Sequence, residues 1–281
     1  MATEPAWHAR AVEQLSQFFR NEPDAKAFVL TGSLAAAHVQ EDAWSDVDAS
    51  IVVADRALDL HYLSTGWLHA LGRVVGVERH EHPLMRTLRV CLEGFQRLDL
   101  VFVAESALEH PSLWERNPFH PSYIVQWSKL PGLETQIASL PVPAEYQGVP
   151  GEAIEEMVEA FWLRAAVVIT KVVRNDLLIG LHLALDLARD SLVLQMMRRD
   201  REKGTAIHRV GGWGNELVAR LSWTGQGDSS GGILDLLRSS CEVFDELAPD
   251  MLPGYSPRGP LLLPSIESAR QICSARACAG Q

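Results

Sequence analysis

Residues 29–53 read VLTGSLAAAHVQEDAWSDVDASIVV. An apolar run ends in Gly32-Ser33. Twelve residues later Asp46 and Asp48 stand one residue apart at the head of a second apolar run. On an extended strand, residues i and i+2 point to the same face. The two carboxylates therefore project together from the lip of a buried strand. Such a pair repels unless a cation sits between its members. An oxygen-only donor set suits Mg2+, which takes one or two carboxylates together with substrate phosphates. A strand that ends in Gly-Ser and leads into a helix offers backbone N–H groups and a hydroxyl to an anion. The plainer alternative is an Asp-rich turn in which Asp46 caps a local N–H group.

A third acid shifts the balance. Asp99 interrupts the apolar run RLDLVFV at 97–103, where a carboxylate is costly unless it has a partner or faces a cleft. Beside the strand at 47–53 it joins the same cluster, as a metal ligand or as the acceptor of a hydroxyl proton. Otherwise it is a structural ion pair with Arg97 or Arg89. Glu93, in the preceding turn, is the fallback base.

Around this motif, Trp7, Val12, Leu15, Phe18 and Phe19 recur at helical spacing over residues 5–20, with Pro5 near the start. AKAFVLT (25–31) and VDASIVV (47–53) read as strands. ALDLHYLSTGWLHALG (57–72) has helical period. RVVGVE, RTLRVCL and RLDLVFV follow as clustered strands with a turn at Gly94. RHEH (79–82) is expected in a loop, facing solvent. The order predicts a mixed sheet flanked by helices over residues 1–108. Residues 109–150 are rich in proline and are expected to be a connection with at most one short helix. From Ile154 the apolar residues follow a 3.6-residue period, and further helices are predicted at about 176–200 and beyond. The tail holds a weak helical stretch near 264–276 that is expected to fray. The predicted class is α+β, with an all-α helical bundle over residues 151–281.

The chain has 281 residues, is 47% hydrophobic and carries a formal charge of −11. That charge disfavours a general nucleic-acid binder, which needs a basic face to displace counterions. It suits a cationic small molecule. Four cysteines, Cys91, Cys241, Cys273 and Cys278, have neither metal nor redox spacing. No signal peptide or membrane-spanning run is evident, and a cytoplasmic protein is expected, as a monomer or homodimer.

Three stretches together resemble one family: GSLAAAHVQEDAWSDVD (32–48), EGFQRLDLVFVAESAL (93–108) and EAFWLRAAVVITKVVRNDLL (159–178). Gly-Ser, a gap, Asp-x-Asp and a later strand aspartate is the layout of nucleotidyltransferases with a polymerase-β-like core. Within them the chain is similar to the aminoglycoside 6-adenylyltransferases, the streptomycin-modifying enzymes. The resemblance implies an N-terminal nucleotidyltransferase domain and a helical substrate-binding domain. It implies transfer of AMP from ATP to a hydroxyl of an aminoglycoside, with Mg2+ on Asp46, Asp48 and Asp99. Gly32 and Ser33 would hold the phosphates, and Asp99 would act as general base. Lys171, with Arg174 as a weaker second candidate, would reach the triphosphate. The acceptor would lie between the domains. The family commonly has Gly-Ser-Arg, whereas Leu34 stands here, which opens the choice of drug. The competing readings are a lincosamide, another metabolite or a protein hydroxyl as acceptor, and a nucleotide-binding module without catalysis.

Other residues carry less. Glu152, Glu155, Glu156 and Glu159 are either drug contacts or a solvated helix face. Trp44, beside the acids, is a candidate to stack on a base or a sugar. Trp162 fits core packing. None of the ten histidines has clear metal spacing.

Overall fold

The computed structural model describes residues 7–36, 44–110, 117–142, 148–204, 214–221 and 229–279. Pro5, His38, His208 and most of the loop glycines before residues 215 and 230 lie outside them. Two strands stand where the sequence predicts them, β1 at Ala25–Thr31 and β2 at Val47–Val53, after helix α1 at Trp7–Asn21. The helix read over 57–72 is instead one α-turn, α2 at Leu60–Leu63, between two 3-10 turns. Ser64, Thr65 and Gly66 interrupt it, and the Trp67 indole N–H donates to Ser64 O at 2.9 Å, covering a carbonyl that a continuous helix would have used.

Three strands follow: β3 at Val74–His82, β4 at Met85–Leu92 and β5 at Gln96–Ala104. RHEH therefore ends a strand and is not a loop. The Pro-rich stretch also departs from expectation. It contains a strand, β6 at Tyr123–Ser128, as well as the short helix α3 at Leu133–Ala138. Tyr-Ile-Val-Gln-Trp-Ser has the β-branched and aromatic content of a strand, and the prolines only flank it. β6 pairs with β1, and the Trp127 indole N–H donates to Ser16 O of α1 at 3.1 Å. The sheet order is β3-β4-β5-β2-β1-β6. All neighbours are antiparallel except β2 and β5.

The two faces of this sheet are built differently. Phe28, Ile51 and Phe102 are register partners in one row. They meet α1 through Phe19, whose ring centroid lies 6.3 Å from Phe28 and 5.9 Å from Phe102. All four side chains are fully buried. On the other face the cover begins at Ser50, buried and donating to Pro118 O at 3.1 Å. Two residues earlier on that face stands Asp48, half-buried. The acids sit where the sheet emerges from its cover.

The chain divides into two compact units, Met1–Ala144 and Glu145–Gln281. The second is helical: α4 at Gly151–Val173, α5 at Leu177–Lys203, α6 at Asn215–Arg220, α7 at Ser230–Met251 and α8 at Gly259–Ala279. α4 buries Ile154, Val158, Phe161, Trp162, Ala165, Val168 and Val172, the stripe read from the sequence. Phe161 stacks on Phe244 of α7 at 3.7 Å between centroids. Ser229 caps α7 by accepting from the Gly232 N–H at 3.1 Å. The tail does not fray. α8 buries Ile266 and Ala269, and Arg276 donates to Val173 O at 2.8 Å. All four cysteines are free. Among the described residues no helix is long and apolar enough to cross a membrane.

Candidate active site

β1 ends at Thr31, and the chain turns at Gly32 with φ +66°. A Cβ at Gly32 would stand 2.0 Å from Asp48 Oδ2. Glycine is therefore required twice, for the left-handed backbone and for the approach of the carboxylate. Gly32–Ala35 make a single 3-10 turn, where the sequence suggested a helix. Anion binding here would rest on the turn's own N–H groups, not on a helix dipole.

The parallel pairing of β2 with β5 sets Asp48 opposite Asp99. The row continues outward, because Asp99 is the register partner of Arg89 on β4, and Arg89 that of Glu78 on β3. Glu78, Arg89, Asp99 and Asp48 thus form one line across four strands. Arg89 Nε donates to Asp99 Oδ2 at 3.0 Å, and its Nη1 donates to Glu78 Oε2 at 3.2 Å. The hydrogen bond to Asp99 is the main reason the Arg89 guanidinium is held above its ordinary pKa. Asp99 is 24% exposed, yet its Oδ1 is buried and has no hydrogen-bond partner. A buried acceptor left open is costly, and here it lies beside a second carboxylate. Asp46 stands just ahead of β2. Its Oδ2 lies 3.5 Å from Arg97 Nη2, which also donates to Trp44 O at 3.2 Å.

Of the residues singled out from the sequence, Gly32, Asp48 and Asp99 meet directly, with Asp46 two residues from Asp48 on β2 and Ser33 in the Gly32 turn. Arg89, weighed as a structural partner of Asp99, is that partner. Among the described residues no three His, Cys, Asp or Glu side chains are grouped to hold a metal by themselves. Mg2+ commonly completes its shell with substrate phosphates and water, so the donor set fits one or two aspartates plus a nucleotide. Glu93 is tied to Arg73 at 2.9 Å on the hairpin. Lys171 lies in the second unit, its Nζ 3.0 Å from Asp176 Oδ2. Arg174 is exposed, as are Glu152, Glu155, Glu156 and Glu159. Glu159 clamps Arg258. The Trp162 indole N–H donates to the Tyr255 hydroxyl at 2.9 Å within the helical core. Trp44 is 68% exposed and meets Phe95 edge to face at 5.7 Å. Sequence reasoning passed over Phe95, for which the turn at Gly94 was the only signal.

A family model described as streptomycin adenylyltransferase matches residues 8–200. A search of curated proteins finds no significant match. Among solved structures the chain is similar to an aminoglycoside 6-adenyltransferase from Bacillus subtilis, at 11% identity and TM-score 0.37, covering 95% of this chain and 99% of that one. It is also similar to a spectinomycin adenyltransferase from Enterococcus faecialis solved with ATP and spectinomycin, at 10% identity and TM-score 0.27, covering 95% and 99%. A nucleotidyltransferase-like protein from Exiguobacterium sibiricum follows at 10% and 0.27, covering 96% and 76%. At such scores the family match alone carries the assignment.

Proposed function

Since this chain belongs to the streptomycin adenylyltransferase family, we propose that it transfers AMP from ATP to a hydroxyl of an aminoglycoside such as streptomycin, with Mg2+ and with release of pyrophosphate. The observation that carries this reading is the parallel register of Asp48 and Asp99, with one Asp99 oxygen buried and open. Asp46 and Asp48 are the residues that would hold Mg2+, which when bound neutralises phosphate charge and orients the α-phosphorus. Asp99 is kept in place by Arg89 through Oδ2 and is the carboxylate that would take the proton of the acceptor hydroxyl.

The acceptor oxygen attacks the α-phosphorus in line, and a new P–O bond forms. The bond from the α-phosphorus to the oxygen bridging to the β-phosphate breaks, and pyrophosphate leaves with that electron pair. The acceptor proton passes to Asp99. The turn at Gly32-Ser33, whose glycine lets Asp48 approach, is the candidate seat of the departing phosphates. The family resemblance adds Lys171 as a triphosphate contact. Asp176 holds its ammonium at 3.0 Å.

The test is pyrophosphate release with Mg2+ and ATP across streptomycin, other aminoglycosides and lincosamides, beside Asp48→Asn. Release with an aminoglycoside that is abolished in the variant supports the reading. Release only with a lincosamide changes the acceptor. No release and no Mg2+-dependent ATP binding would overturn it.

A further inference from the structure

Trp44 and Phe95 are 68% and 67% exposed, and they face each other across the mouth of the strands that carry the acids. Single exposed apolar residues are ordinary on a protein surface, but this pair differs in two ways. First, Phe95 has φ +66°, a left-handed backbone that is costly for a non-glycine residue. Glycine or asparagine would hold the same β4–β5 turn without that cost. The ring is neither buried nor demanded by its backbone. Second, the pair is wired to the site. Arg97 bonds to Trp44 O and lies beside Asp46 Oδ2, and Phe95 precedes the strand that bears Asp99.

We infer that Trp44 and Phe95 form the acceptor subsite, a stacking lip for the ring faces and cationic groups of an aminoglycoside. The inference rests on the adenylyl-transfer reading above. In-line displacement puts nucleophile and leaving group on opposite sides of the α-phosphorus. The pyrophosphate side is assigned to Gly32-Ser33 at the end of β1, on one side of β2. The acceptor then approaches from the other side of β2, where β5 bears Asp99 and the β4–β5 turn presents Phe95. Indole is the best aromatic face for a cation, and its plane also suits an apolar sugar face.

The experiment titrates streptomycin into the full chain saturated with Mg2+ and a non-hydrolysable ATP analogue, by calorimetry and by Trp fluorescence. It is repeated for Trp44→Ala, Trp44→Phe, Phe95→Ala and Phe95→Asn. The alanine variants are expected to weaken streptomycin binding about tenfold, with analogue affinity unchanged. Trp44→Phe should keep most of the binding. Phe95→Asn should lose it while Tm is unchanged or higher, because asparagine tolerates the left-handed backbone. Wild-type binding of streptomycin that none of the variants alters would overturn the subsite and leave the transferase standing. So would a loss confined to the ATP analogue, which would assign the rings to adenine. A wild-type chain that binds the analogue but neither streptomycin nor any other aminoglycoside of the panel would overturn the aminoglycoside reading, and the subsite with it.

Discussion

Two carboxylate sites in this chain are each built against a glycine, and the oxygens gathered there meet opposite fates. In the helical unit a Cβ at Gly259 would stand 2.6 Å from Asp245 Oδ2. Asp245 spends both oxygens. Oδ2 accepts from the Gly259 N–H at 2.6 Å, and Oδ1 accepts from the Arg258 N–H at 3.0 Å and from the Tyr255 hydroxyl. In the sheet unit Gly32 admits Asp48 as closely, but the neighbouring Asp99 keeps an oxygen buried and unmatched. A carboxylate whose lone pairs are all taken by its own chain is a staple. One left short beside another acid is poised as a receptor, because its deficit can be made good by a cation or by a donor on a ligand. Tyr255 belongs to the first kind: burial, then its bond to Asp245, pushes its hydroxyl pKa up, and it stays a donor at neutral pH.

The contrast breaks most readily at Asp48. Asp48→Asn should cut pyrophosphate release about 1000-fold, within the range for removing a group used in the chemical step, while urea unfolding is unchanged or shifted to higher urea. A matching loss of stability would make Asp48 a staple after all. Asp245→Ala should do the reverse. It leaves several donors without their charged acceptor and should cost about 2–3 kcal/mol in urea unfolding, with kcat per folded molecule within about twofold. Arg89→Met should lower kcat about tenfold at unchanged ATP affinity, and Arg89→Lys should restore part of it, since Arg89 acts by orienting Asp99.

The smallest effect sharpens the staple side. The Arg258 guanidinium holds the Glu159 carboxyl below its ordinary pKa, chiefly through its hydrogen bonds. A depressed carboxyl stabilises the fold above its unfolded pKa, and that contribution is lost as pH falls through the folded value. The Tm gap between wild type and Glu159→Gln should therefore be open at pH 7 and close below about pH 4. Glu159 is exposed, so the gap is small even when open.

Much of this is legible in the amino-acid sequence. β1 and β2 are short apolar runs with polar or glycine boundaries, and Asp46, Asp48 and Asp99 stand out against them because an acid in an apolar strand demands a reason. The α4 stripe is equally plain. β6 was hidden because Pro118, Pro121 and Pro131 dominate a stretch whose strand is only six residues long. The docking of α8 was hidden because Pro264 lies inside it, and packing against α4 and α7 outweighs that local penalty. The line Glu78–Arg89–Asp99–Asp48 depends on register across three strand pairs, which no local pattern fixes. The left-handed backbone of Phe95 follows from the hairpin turn, and its residue type gives no hint of it.

The parallel pairing of β2 with β5 has a kinetic meaning as well. Asp48 and Asp99 are 51 positions apart, and the chain between their strands runs through the β3–β4 hairpin and the turn into β5. Hairpins close locally, whereas parallel neighbours wait for a long loop to be brought together. During refolding, sheet-like circular dichroism should therefore return ahead of enzymatic activity. The lag between the two signals times the closure of one strand pair.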